Sequence, residues 1–160
     1  MTVAWVQLLG RRCPVKLKVV WIGKTKSAAI KALAEEYLDR LSHYGDVEGS
    51  ELANEEALLK LAESAKTPPT LVLLDQRGRQ LTSEELAEML DAHQVRGTQS
   101  LIFAVGPADG FSQQARHAAN LVLSLGKMTL AHELARVVLL EQLYRGFTII
   151  KGHPYHRSSQ

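Results

Sequence analysis

Three short apolar runs in the second half of the chain constrain its fold more than any other feature. They are TLVLLD (residues 70–75), SLIFAVG (100–106) and NLVLSLG (120–126). Continuous apolar runs of this length are typical of parallel strands that are covered on both faces. Helical patterns over residues 84–93 and 131–145 follow the first and the last of them. This alternation predicts an α/β fold with a mostly parallel sheet flanked by helices.

The first half of the chain continues the same alternation. Its predicted elements are a strand at 17–23, an amphipathic helix at 27–43, a weaker strand at 47–52 and a helix at 55–66. We also expect a short helix to open at Ser112 and no helical pattern from residue 146 onward. Neither an internal repeat nor a linker divides the 160 residues, a length that suits one domain.

Composition excludes several classes of protein. Cys13 is the only cysteine, so an intrachain disulfide and a multi-cysteine zinc site are both impossible. The apolar runs are too short to span a bilayer, and Arg11 and Arg12 follow the apolar stretch 3–9, the wrong order for a secretory signal. We therefore expect a soluble cytoplasmic protein. Its net charge of +2 permits a polyanionic partner without requiring one.

A glycine-bearing loop follows each of the three apolar strands. The loops are DQRGR (75–79), GPADG (106–110) and GKMT (126–129). In open α/β sheets, ligands bind beyond the carboxyl ends of the strands, so three such loops in series can form a shared pocket. Taken singly, each loop is better interpreted as a tight strand-to-helix connection. None matches a phosphate-binding glycine motif, and Asp75 has no close-spaced histidine that would indicate a hydrolase.

Side chains with reactive or charged groups are concentrated near the C-terminus. Arg136 lies among apolar residues on the last predicted helix, and HPYHR (153–157) holds two imidazoles, a phenol and a guanidinium. This segment is either a mobile tail or one that Pro154 stiffens, so that Tyr155 stacks on a base and Arg157 meets a phosphate. Two histidines without a third ligand do not indicate a metal site.

Five blocks of the sequence together resemble the ribosomal RNA large subunit methyltransferase H family of the SPOUT superfamily. They are VWIGK (20–24), LVLLD (71–75), VGPADGFS (105–112), LSLGKMTLAHELARVVLLEQLYR (123–145) and HPYHR (153–157). The resemblance implies a SPOUT-type α/β knot, in which the C-terminal part forms a trefoil knot, a rare exception to the unknotted rule. It also implies S-adenosyl-L-methionine as the cofactor, no metal, and methylation of N3 of a pseudouridine in 23S ribosomal RNA on assembled ribosomes.

The resemblance also implies which residues form the site. Cofactor contacts fall on Leu74, Gly106, Leu125, Gly126, Lys127, Met128, Thr129 and Leu130. Members of the family complete the site across a two-fold homodimer, in which the tail of one subunit reaches the cofactor of the other. The residues on the substrate side are then His153, Tyr155, His156 and Arg157, with Arg136 beneath them. His153 is the first candidate for the base that acts at N3.

The chain departs from the family pattern at three places. Pro107 stands where glycine is common and removes a backbone donor, and Ala131 stands where proline often precedes the histidine. Residues 1–14 have no counterpart, and Val15 falls where the first strand of the family would start. Our hypothesis is a GUG start codon at Val15, which leaves one methyltransferase domain over 15–160. Native protein whose mass includes residues 1–14 would refute it.

Two other functions are open. One is a non-catalytic ribosome-associated factor, which the intact LGKMTL loop (125–130) and the HPYHR segment disfavour. The other is a SPOUT methyltransferase acting on a different RNA such as tRNA, which the lack of an added RNA-binding domain disfavours.

Overall fold

The computed structural model describes residues 15–157, and for His156 and Arg157 it describes the backbone alone. The hypothesis about residues 1–14 therefore lies outside the described part of the chain. Within residues 15–157, five strands, all parallel, form one sheet in the order β2-β1-β4-β3-β5. They are β1 (Lys16–Ile22), β2 (Val47–Leu52), β3 (Thr70–Gln80), β4 (Ser100–Val105) and β5 (Leu121–Ser124). The predicted α/β fold with a parallel sheet is confirmed.

In the described part of the chain, five helices alternate with these strands. They are α1 (Ala28–Ser42), α2 (Glu55–Glu63), α3 (Ser83–Arg96), α4 (Gln113–Ala118) and α5 (His132–Ile150), and a 3-10 turn follows at Pro154–Arg157. No helix within residues 15–157 is long and apolar enough to cross a membrane.

The prediction that helical structure is absent from residue 146 onward was wrong, because α5 continues to Ile150. Its last turns are held by packing. Phe147 is buried and stacks on Tyr44 with the ring centroids 5.9 Å apart. Gly146 lies so close to α3 that a Cβ there would come 2.9 Å from Leu90 Cδ1. These contacts with distant residues make the segment helical although its own pattern is weak.

Side-chain caps fix where four of the helices begin. Ser27, Asn54, Thr82 and Ser112 each accept a hydrogen bond from a backbone N–H of the first turn. At Thr82 the cap is reciprocal, since the Glu85 carboxylate accepts from the Thr82 N–H at 2.8 Å. These caps end the preceding loops at defined points and so help to position them.

Both faces of the sheet are buried, which explains the continuous apolar strand sequences. One cluster, which includes Leu17, Leu90 and Leu140, joins the sheet to α1, α3 and α5. A second cluster, which includes Ile22 and Leu58, joins the opposite face to α2 and α4. The molecule is thus a three-layer structure with its sheet in the middle.

Strand β3 is irregular at the point where the predicted strand ends. Leu74 and Arg79 both pair with Leu123 of β5, so residues 75–78 leave the ladder between them. The excursion brings these residues to the carboxyl ends of the strands. A local irregularity of the backbone therefore places the first of the three predicted loops.

One buried histidine predicts how stability depends on pH. His93 is 9% exposed, and its Nδ1 lies 2.9 Å from Thr98 Oγ1. Burial, followed by the positive charge of Arg96, lowers the pKa of His93 below its ordinary 6.5. The unfolded chain therefore takes up a proton that the folded chain does not, and stability falls as the pH drops through about 6.5 toward the folded pKa.

His93→Gln is expected to reduce the loss of melting temperature between pH 7.5 and pH 5. His117→Gln, at an exposed position on α4, is the control and should keep the wild-type difference. An unchanged pH dependence in His93→Gln would show that other groups set it.

Candidate functional site

A cavity of about 460 Å³ lies at the carboxyl ends of β3, β4 and β5. Its walls are the stretches 74–77, 105–110, 123–126 and 128–132, together with Arg116 and Ala135. This volume lies in the range of roughly 300–1,000 Å³ that is usual for small-molecule sites. The three loops predicted to share a pocket do share one.

Seven of the eight predicted cofactor residues line this cavity. The exception is Lys127, whose backbone carbonyl lies 3.4 Å from the Gln76 amide nitrogen. The same amide donates to Thr129 Oγ1 at 2.7 Å. Gln76 thus joins the first loop to the third, a role that no sequence pattern indicated.

The third loop is shaped by its own backbone and by a buried hydroxyl. Ser124, 4% exposed, donates to the Gly126 carbonyl at 2.9 Å and lies 3.2 Å from the Gly126 N–H. Gly126 has φ of +143°, a conformation that side chains rarely adopt. The loop therefore turns tightly at the cavity wall.

The second loop accommodates Pro107, the departure noted in the sequence. The Pro107 carbonyl accepts from the Gly110 N–H at 2.9 Å, so a turn closes without a donor from Pro107 itself. A Cβ on Gly106 would lie 3.0 Å from the Phe111 ring, which shows how closely the loop packs on the core. Pro107 lines the cavity while leaving this turn intact.

An ion pair lies in the cavity wall. Asp75 Oδ2 lies 3.3 Å from Arg116 Nη1, and the side chains are 9% and 28% exposed. The Arg77 N–H donates to Asp75 Oδ1 at 2.9 Å. Asp75 belongs to the first of the three loops predicted to share a pocket, and its position directly after a buried strand indicated that place, but no pattern identified Arg116 as its partner.

Arg136 is buried, with 1% of its surface exposed, and its guanidinium faces the end of β1. It donates to the carbonyls of Ile22 and Gly23, both at 3.2 Å, and to Thr25 Oγ1 at 2.8 Å. Burial lowers its pKa, and the negative charge of Glu133 opposes that change. Arg136 is not among the residues that line the cavity, although its neighbour Ala135 is.

Glu133, also on α5, binds the loop between β1 and α1. Its carboxylate accepts from the backbone N–H groups of Lys26 at 2.6 Å and Ser27 at 3.2 Å. These two hydrogen bonds are the main reason why the pKa of Glu133 is lowered. Arg136 and Glu133 therefore fasten the β1–α1 loop to the first turns of α5, beside the cavity.

The tail packs against the middle of α5. The Tyr155 hydroxyl donates to Glu141 Oε1 at 3.2 Å, and its ring meets Tyr144 edge-on at 4.7 Å. Burial, with hydrogen bonding to Tyr37 and Glu141, raises the pKa of Tyr155, so the phenol keeps its proton at neutral pH. The side chains of His156 and Arg157 lie outside the described part of the chain.

No described tail residue of this chain lines its own cavity. Helix α5 lines the cavity as far as Ala135 and contacts Tyr155 at Glu141, six residues later. That interval is on the order of 9 Å along the helix axis. Within one chain, the tail and the cavity are thus separate.

Two large apolar side chains are exposed on the helices that pack together at this side. Leu33 on α1 is 40% exposed and Leu134 on α5 is 44% exposed, and Met128 in the third loop is 83% exposed. Of the three, Met128 lines the cavity, so exposed apolar surface borders the cavity at the third loop.

Several known proteins are similar to this chain. Residues 15–156 match the family described as Predicted SPOUT methyltransferase. A protein of Koribacter versatilis is 61% identical over 143 residues, which cover 89% of this chain and 98% of that protein. A protein of Geobacter sp. (strain M21) is 43% identical over 152 residues, which cover 89% of this chain and 99% of that protein. Both carry the name Ribosomal RNA large subunit methyltransferase H.

Two solved structures share the fold. A probable methylase family protein from Haemophilus influenzae Rd KW20 superposes with a TM-score of 0.57 at 13% identity, covering 88% of this chain and 70% of that one. The SpoU methyltransferase AviRb from Streptomyces viridochromogenes was solved with the cofactor AdoMet. It superposes with a TM-score of 0.52 at 15% identity, covering 82% of this chain and 58% of that one. At these identities the likeness concerns the fold.

Proposed function

Since this chain belongs to the SPOUT methyltransferase family, we propose that it methylates N3 of a pseudouridine in the 23S ribosomal RNA of the large subunit. At the level of the family it is an S-adenosylmethionine-dependent methyltransferase of large-subunit ribosomal RNA. The observation that carries the finer proposal is the cavity built from the three loops, in a chain whose named relatives match it over nearly their whole length.

The cavity fits the cofactor in size and in chemistry. Leu74, Leu125 and Leu130 supply apolar surface for an adenine, and Gly106 and Gly126 line the cavity without a side chain, so a ligand can approach their backbone closely. These residues would hold the cofactor, as the sequence predicts. When bound, S-adenosylmethionine supplies a methyl group on a sulfonium, which makes that methyl an electrophile.

The chain's own task is to orient the nucleotide and to remove the imide proton from N3. We assign the removal of this proton to His153. Tyr155 keeps its own proton at neutral pH and cannot serve as the base. Tyr155 instead packs the tail on α5 through Tyr144 and Glu141. His156 and Arg157 follow on the substrate side, where a guanidinium suits phosphate.

The site in this proposal is completed by a second copy of the chain. The distance along α5 between the cavity and the tail supports this, since the tail of the same chain packs elsewhere. The exposed Leu33 on α1 and Leu134 on α5, with the exposed Met128 at the cavity, supply apolar surface for a homodimer. Arg136 then acts as a positioning residue beneath the site, because it fixes the β1–α1 loop.

A trefoil knot in the C-terminal half is also part of the proposal. It is supported by the excursion of residues 75–78 out of β3, which passes the backbone of β5 at very close range. We further propose that the enzyme acts in the cytoplasm on the assembled 70S ribosome. A chain of this size with one sheet has little surface for reading sequence, so the shape of the folded RNA must supply specificity.

Transfer of a labelled methyl group tests the choice of substrate. Labelled S-adenosylmethionine is given to the protein with 70S ribosomes, free large subunits or bulk tRNA, each with and without prior pseudouridylation. We expect label in the large-subunit RNA of 70S ribosomes, and only after pseudouridylation. Label in tRNA alone would replace the proposed substrate, and label in none would favour a non-catalytic factor.

A further inference from the structure

The ion pair between Asp75 and Arg116 has no role in the function described so far. It lies in the cavity wall, where Asp75 follows the regular part of β3 and Arg116 lies on α4. Charged side chains that line a small-molecule cavity usually fix the orientation of the ligand, since apolar walls alone do not. The ligand of this cavity should therefore carry charges of its own at this wall.

Both side chains retain hydrogen-bonding capacity on the cavity side. A guanidinium has five N–H donors, and among residues 15–157 that of Arg116 makes one hydrogen bond, through Nη1 to Asp75. Asp75 Oδ1 accepts from the Arg77 N–H and Oδ2 from Arg116, while a carboxylate has about four acceptor positions. The pair is thus formed, but it is not saturated by its protein partners.

The second loop passes close to Asp75 and presents no side chain to it at Gly110. Gly110 has φ of +81°, and a Cβ placed there would lie 3.9 Å from Asp75 Oδ2. The second loop therefore passes the carboxylate with no side chain between them. Asp109, the preceding residue, also lines the cavity and makes this end of it more polar than the end near Leu125 and Leu130.

We propose that Asp75 and Arg116 form the subsite for the amino-acid end of S-adenosylmethionine. Arg116 binds the α-carboxylate, with the planar fork that suits a carboxylate, and Asp75 binds the α-ammonium. A fixed pair of opposite charges matches the zwitterion, and the apolar end of the cavity takes the adenine. The inference rests on the proposed function, because it presumes that this cofactor occupies the cavity.

Calorimetric titration of the full chain tests the subsite without any turnover. The ligands are S-adenosylhomocysteine and 5′-methylthioadenosine, two neutral thioethers of which only the first carries the amino-acid end. The wild-type chain is expected to bind S-adenosylhomocysteine at least about tenfold more tightly. Equal affinities would overturn the inference, whereas no binding of either ligand or of S-adenosylmethionine would instead overturn the proposed cofactor.

Two variants then separate the roles of the two charges. Arg116→Gln and Asp75→Asn should each weaken binding of S-adenosylmethionine about tenfold and leave 5′-methylthioadenosine within about twofold. Decarboxylated S-adenosylmethionine should be insensitive to Arg116→Gln and sensitive to Asp75→Asn. Lys60→Gln, which removes an exposed ion pair with Glu56 far from the cavity lining, is the matched control.

Binding of 5′-methylthioadenosine also distinguishes a variant that has lost the subsite from one that is misfolded. If either variant loses affinity for this ligand as strongly as for S-adenosylmethionine, the pair is a structural link between α4 and the first loop, and the inference is wrong. Unchanged binding of S-adenosylmethionine in both variants would overturn it as well.

Discussion

Replacing Gly78 by alanine is expected to lower the melting temperature by roughly 6–12 °C, as overpacking of about 3 kcal/mol does in a chain of this size. A Cβ at this position would lie 2.7 Å from the carbonyl carbons of Val122 and Leu123 and from the Val122 oxygen. All three are backbone atoms of β5, so the clash cannot be relieved by rotating a side chain. The strand or the loop must shift, and both border the cavity.

Thermal unfolding measured by circular dichroism checks this prediction. Gly45→Ala is the matched control, because a Cβ there meets no atom within 4 Å. Its melting temperature should stay close to that of the wild type. A Gly78→Ala protein that melts with the wild type would mean that residues 75–78 do not pass β5 as described, and it would remove a support for the knot.

Replacing His153 by alanine is expected to reduce the rate of methyl transfer by roughly 10²–10⁴, the usual contribution of a positioned base. Binding of S-adenosylmethionine should not change, because His153 is assigned to the nucleotide and not to the cofactor. Single-turnover transfer to ribosomes, with cofactor affinity measured in parallel, separates the two effects. The control is His43→Ala, an exposed histidine at the end of α1.

A His153→Ala protein that transfers methyl groups within about twofold of the wild-type rate would exclude His153 as the base. A loss confined to cofactor affinity would also exclude His153 as the base, since the imidazole would then contact the cofactor and not the nucleotide.

The core strands could be predicted from the sequence because each is apolar throughout, and only a strand covered on both faces combines that composition with so short a length. The last residues of β3 could not be predicted from the sequence. Arg77 and Arg79 are exposed, and residues 79–80 are strand only through backbone pairing with Leu123 and Ser124. Backbone pairing leaves no mark in a side-chain pattern.

The cavity, too, could be predicted from the sequence only in part. Its loops were predictable because parallel strands bring their carboxyl ends to one edge, so residues 74, 106 and 125–130 had to lie near one another. The links between the loops were not predictable. Asp75 meets Arg116 across 41 residues of sequence, and Arg136 binds carbonyls more than 110 residues away. Sequence marks such side chains as unusual but does not identify their partners.

The central claim is that the cavity of one copy and the tail of another form one site, and mixed dimers test it most directly. His153→Ala removes the base, and Gly126→Val forces a side chain onto a backbone with φ of +143° at the cavity wall. Either variant alone should transfer methyl groups to ribosomes at a small fraction of the wild-type rate at most. Differently tagged copies of the two, co-expressed and purified through both tags, give dimers with one intact composite site.

Such mixed dimers should recover about half of the wild-type rate per dimer, because one of the two symmetric sites is whole. If instead each chain used its own tail, every site in the mixed dimer would carry one defect. Mixed dimers no more active than either parent variant would then contradict the account.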